Sequence, residues 1–138
     1  IFTVFDSAIH AIKDALQHEF GINTVAKIKN KKDSHESIQR FKTAAQCRFL
    51  LLQAGNSDSG SGASGLSLTV AKHVVIVDEL IDKTIEAQAM ARIHRIGQNM
   101  ETKVWKLVAR GSTDAVLSFL KANDDNITPD SVLKFMKP

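Results

Sequence analysis

At 138 residues, with 43% apolar and 24% charged side chains, the chain has the length and composition of one soluble globular domain with a real core. No apolar run approaches the roughly 20 residues of a membrane span, no signal peptide or anchor is visible, and Cys47, the only cysteine, excludes an internal disulfide or a multi-cysteine metal site. A net charge of +3 tilts the chain toward an anionic partner, although acids are interspersed among the bases.

The apolar run Ile1–Phe5 predicts a strand, and because Ile1 rather than Met stands first, the sequence reads as a piece of a longer polypeptide. Ile9, Ile12, Leu16 and Phe20 then recur at three- and four-residue spacing. They predict a helix capped by Asp6 or Ser7 and ended by Gly21 in a left-handed conformation. Asn23–Ile28 predicts a second strand, leading into Lys27, Lys29, Lys31 and Lys32, four lysines within six residues. Such a run is either a solvated face or a phosphate contact. Asp33 followed by Glu36 resembles a capping box, opening a helix with Ile38, Phe41 and Ala45 on one face.

Arg48–Ala54 is a short unbroken apolar run, as in a parallel strand covered on both faces. Gly55–Gly65 can build no core and predicts a loop. Leu66–Lys72 then predicts a short helical turn, His73–Val77 a strand ending in Asp78, and Thr84–Arg95 a helix ended by Gly97. Lys103–Val108 predicts a last strand, containing Trp105. Ser112 is placed to cap a helix to about Ala122, and Pro129 suits the first turn of a short terminal helix containing Val132, Leu133, Phe135 and Met136. Alternation of strands and helices implies an α/β fold of three layers, a mostly parallel sheet with helices on both faces, over residues 1–122, followed by a tail over 123–138.

The strongest chemical signal is QAMARIHRIGQ, Gln88 to Gln98. On a helix, Gln88, Arg92 and Arg95 project from one face while Ile85, Ala89, Ile93 and Ile96 mark a core stripe on another. Two guanidiniums sharing a direction repel unless an anion or carboxylate lies between them, and their donor forks suit phosphate oxygens. Surface salt bridges are the plain alternative. His10, His18, His35, His73 and His94 do not cluster at metal-ligand spacing.

The run from Gly65 through Gln98 closely resembles motifs V to VI of SWI/SNF-type ATPases, a branch of helicase superfamily 2, and the pattern QAxxRxHRxGQ is specific to that family. The resemblance extends more weakly over nearly the whole chain, with Ile1–Phe5 at motif IV and Lys103–Asp114 after motif VI. It implies a C-terminal RecA-like lobe of a DNA-dependent ATPase. Arg92 and Arg95 would then be the catalytic residues facing ATP phosphates across an interlobe cleft, one of them as arginine finger, with Gln88 and Gly65 at the interface. Thr69, Ser67 and Thr3, from motifs V and IV, would follow the DNA backbone together with Lys29, Lys31 and Lys32. ATP and Mg2+ would be held mainly by an N-terminal lobe of the same polypeptide. The setting implied is nuclear, on double-stranded DNA or chromatin, in remodelling or DNA repair, and the altered segment after motif V resembles divergent branches with RING and PHD inserts.

The departures are specific. Where the family usually has Asp-Pro-x-Trp-Asn-Pro, this chain reads Asp78-Glu79-Leu80-Ile81-Asp82-Lys83; Ser67 stands where asparagine is usual and Val4 near an expected glutamine. The sequence contains no GxxxxGK[ST] phosphate loop and no Asp-Glu-x-His magnesium motif, so this segment alone is expected not to hydrolyse ATP. Two other readings remain at this point. One is a lobe that has lost its chemistry and docks protein or nucleic acid. The other is a dinucleotide-binding domain, because GSGASG (Gly60 to Gly65) fits GxGxxG and Asp78 lies eighteen residues beyond Gly60. Against the latter, only about seven residues are left for its crossover helix.

Overall fold

The computed structural model describes residues 1–28, 31–53, 68–79 and 83–123, the side chains of residues 31–33 excepted. Five strands, β1 (Phe2–Thr3), β2 (Val25–Ile28), β3 (Phe49–Gln53), β4 (His73–Ile76) and β5 (Lys103–Lys106), form one sheet in the order β2-β3-β1-β4-β5. Every pairing is parallel, with Phe2 beside Leu52 on one side and Ile76 on the other. Among the described residues the helices are α1 (Asp6–Phe20), α2 (Lys31–Thr43), α3 (Lys83–Ala91) and α4 (Thr113–Asn123).

Alternation along the strands explains how one sheet takes two helix layers. On one face Val25 and Leu51 bury against Ile9 of α1, with Ile12, Leu16 and Phe49 around them. On the other, Ala26, Ile28, Leu50, Leu52, Val74 and Ile76 meet Ile38 of α2 and Ala89 of α3. The unbroken apolar run of β3 is therefore needed, since both its faces are covered. The expected three-layer α/β fold is the one formed.

Several element ends differ from the sequence reading. Helix α1 begins at Asp6 itself, with Phe5 at the cap position and no side-chain cap. Its end is as expected: Gly21 has φ +101° and its amide donates to the Gln17 carbonyl at 2.9 Å. Residues Ile22–Thr24 form a 3-10 turn rather than the start of β2. Ser112 precedes α4, but its hydroxyl turns back to the Ala109 carbonyl at 2.7 Å instead of capping the helix. The described part of the expected turn over 66–72 is a single bend closed by the Ala71 amide on the Leu68 carbonyl, at 2.9 Å. The loop 55–65, the side chain of Asp33 and the terminal helix all lie outside the described residues.

The largest difference is in α3, which stops at Ala91 rather than Arg95. Beyond it the ladder tightens: the Ile93 and His94 amides both donate to the Met90 carbonyl, at 3.0 and 2.9 Å. Gly97, at φ +99°, then completes a turn that a side chain would strain. This tightening carries Ile96 out of register with Ile85 and Ala89. It is fully exposed, not part of the core stripe, while Ile93 stays buried.

Candidate nucleotide-facing site

The tight turn places Arg92 and Arg95 on one wall of an open pocket of about 560 Å³, lined by Gln88, Ala91, Arg92, His94, Arg95 and Ile96. The three residues expected to share a helix face are thus brought together, although the two arginines sit past the helix end. Arg92 is half-buried and Arg95 exposed. Among the described residues no carboxylate lines the pocket and neither arginine has an ion-pair partner. Burial, and then the charge of Arg95, hold the Arg92 guanidinium below its ordinary pKa.

The turn is latched to the segment before β4. The Leu68 amide donates to the Arg92 carbonyl at 2.9 Å, and Leu68 itself is buried. The Gln98 amide nitrogen donates to the carbonyls of Ala71, at 3.0 Å, and Ile93, at 3.5 Å, while its oxygen accepts from the Met100 amide at 3.0 Å. Gln98 therefore folds the arginine-bearing turn against residues 68–71. Thr69, in that segment, is half-buried one residue from the latch.

Thr3 must be withdrawn as a DNA contact. It is 1% exposed and its hydroxyl donates to the Asp78 carboxylate, which also accepts the Val4 amide at 2.8 Å. Buried at the sheet's central strand, Thr3 ties β1 to the exit of β4 and meets no solvent. Gly65, Ser67 and Lys29 lie outside the described residues. Lys31 and Lys32 open α2, their side chains undescribed.

The sequence reading assigned no partner to Asp78, no role to Gln98 beyond its place in the motif, and nothing to Lys121. Lys121 of α4 reaches Glu79, which follows β4, at 2.7 Å and Glu86 of α3 at 3.0 Å. Glu86 also pairs with Lys106 of β5. These partners lie 42 and 35 residues apart from Lys121, beyond any local spacing rule.

Comparison with known proteins decides the family. No family model matches the chain. It is 33% identical over 95 residues, 69% of its length, to the uncharacterized ATP-dependent helicase IRC20 of Saccharomyces cerevisiae. It is 29% identical over 83% of its length to the E3 ubiquitin-protein ligase SHPRH of Homo sapiens, and 32% identical over 59% to the chromatin-remodeling ATPase INO80 of Gibberella zeae. Its homologues are SWI/SNF-type helicases. The chain spans 6%, 6% and 4% of the lengths of these three relatives. The solved C-terminal part of the Fun30 ATPase domain superposes with a TM-score of 0.75 over 99% of this chain and 41% of that one, at 19% identity. That likeness shows the fold, the α/β architecture of a RecA-like lobe, as the sequence resemblance implied. In this helicase lobe the arginine pocket is built from the run Gln88–Gln98.

Proposed function

We propose that the chain is the C-terminal motor lobe of a SWI/SNF-type DNA translocase, and that Arg92 and Arg95 act on the phosphates of ATP, one as arginine finger. The observation that carries this reading is the pocket itself. Among the described residues, two guanidiniums without carboxylate partners line one concavity with Gln88, and burial together with the charge of Arg95 holds the Arg92 pKa below its ordinary value, which supports a site for an added anion. A polyphosphate is the ligand whose charge and oxygen spacing meet such a pair.

The donor set fits phosphate and not a metal. Among the described residues no group of three or more His, Cys, Asp or Glu side chains stands where it would hold a metal ion. Mg2+ and the cradle for the β-phosphate would come from an N-terminal lobe of the same polypeptide, with the ATP sandwiched between lobes. Developing charge in the transition state would then meet the arginine forks, an effect worth roughly three to five orders of magnitude in related phosphoryl-transfer systems. Gly65 would stand with Gln88 at the interlobe interface, and Thr69, Ser67 and the lysines Lys29, Lys31 and Lys32 would follow the DNA backbone, in a nuclear, chromatin-bound enzyme.

The test is DNA-stimulated ATP turnover by the full-length protein and by the 138-residue chain alone. The full-length protein turns over and loses activity on Arg92→Ala, while the lone chain does not turn over. Full activity in Arg92→Ala together with Arg95→Ala would overturn the reading.

A further inference from the structure

Helix α3 carries the arginine turn, yet its apolar anchorage is slight. Of its nine residues, Lys83–Ala91, only Ala89 is buried, a methyl group against the sheet. Ile85 packs at the margin of the core. The far end of the helix is latched by Leu68 and Gln98, as described above. Among the described contacts, its near end is held by charge: Glu86, in the first turn, receives Lys121 and Lys106, while Lys121 simultaneously holds Glu79.

The arrangement is a buried clasp. The side chains of Lys121, Glu79 and Glu86 are 7%, 3% and 12% exposed, with Lys106 at 40% closing the outer side. Among the described residues, two ammoniums face two carboxylates. Burial opposes the charged forms of both Glu86 and Lys121, but their mutual hydrogen bonds and charges outweigh it, lowering the Glu86 pKa and raising that of Lys121.

We propose that Lys121 is a positioning residue of the ATPase reaction: by clasping Glu79 and Glu86 it fixes the start of α3 and thereby sets where Arg92 and Arg95 stand. The inference rests on the proposed role of those arginines. A helix of nine residues is about 13 Å long, so a small swing at Glu86 is carried to the arginine turn. A displacement of about 1 Å in a catalytic group costs on the order of a hundredfold in rate. Lys121 touches no substrate; its effect is exerted wholly through α3.

The experiment measures DNA-stimulated ATP turnover in the full-length protein for Lys121→Met, Lys121→Arg and Glu79→Gln, each with a melting curve. Lys121→Met is expected to lower kcat at least roughly tenfold with the KM for ATP changed less than about twofold, the signature of a group acting mainly on the transition state. Lys121→Arg, which keeps charge and several donors, restores most of the rate. Glu79→Gln, which preserves size, lowers kcat in the same direction and decides the matter if Lys121→Met does not fold. Added to the Arg92→Ala, Arg95→Ala double variant, either clasp variant lowers kcat no further, because the groups being positioned are already gone. Wild-type kcat in folded Lys121→Met or Glu79→Gln overturns the proposal, as does a loss that simply adds to that of the double variant. If the double variant lowers kcat and the clasp variants do not, only the clasp fails; if the double variant is itself neutral, the parent reading fails.

Discussion

The Leu68 amide donates to the Arg92 carbonyl at 2.9 Å, joining the segment before β4 to the turn that ends α3. By the sequence resemblance these two segments correspond to motifs V and VI, and the bond joins them directly through the backbone. Leu68, 1% exposed, seats that bond in the core beside Val74 and Ile93.

Leu68→Ala tests how much the seat matters. Truncating a buried leucine costs about 2–5 kcal/mol, depending on how far the cavity collapses. Chemical denaturation of the purified chain is expected to show a loss in that range. A loss below about 1 kcal/mol would mean that Leu68 is not held where the structure places it.

The clasp predicts a pH dependence of stability. Glu86 has a folded pKa below its unfolded value, so its contribution is present above about pH 4.3 and is lost as pH falls through the lowered folded value. Lys121 is raised, so its contribution is full below about pH 10.4 and is lost only as pH rises through a still higher value. Stability from the pair is thus level through the neutral range. Denaturation midpoints between pH 3 and 8 should fall in acid for the wild type and less steeply for Glu86→Gln. Equal acid slopes would contradict this.

Sequence spacing captured what local rules govern. The strand-helix alternation, the two-sided burial of Phe49–Gln53 and the convergence of Gln88, Arg92 and Arg95 were legible because each rests on neighbours a few residues apart. The end of α3 was not. Helical periodicity continues through Arg95 in the sequence, and only the Gln98 side chain, hydrogen-bonded to Ala71 and Ile93, shows why the ladder tightens after Ala91. Thr3 was misread for a related reason. Its role depends on Asp78, 75 residues away, and the two meet because β1 and β4 are neighbours in the sheet. Lys121 and Glu79 were invisible on the same ground.

The lysine run supplies a test of DNA contact. If Lys29, Lys31 and Lys32 each touch phosphate, replacing all three with Ala should flatten the slope of log affinity against log salt by up to roughly 3 units, because each contact releases condensed counterions. Fluorescence titration of a DNA duplex at several salt concentrations measures it. An unchanged slope would assign the run to a solvated face.

The account stands or falls on Arg95, exposed on the wall of the arginine pocket and without an ion-pair partner among the described residues. The deciding measurement is steady-state ATP turnover by the full-length protein at saturating DNA, for Arg95→Ala and Arg95→Lys beside the wild type, with a melting curve for each. A transition-state contact predicts that Arg95→Ala lowers kcat at least roughly a hundredfold, with fold and nucleotide affinity nearly intact. Arg95→Lys, which keeps the charge but loses the planar fork, should also lose substantial activity. Near-wild-type kcat in Arg95→Ala would contradict the transition-state assignment of Arg95, and near-wild-type kcat also in its combination with Arg92→Ala would leave the lobe as a docking module.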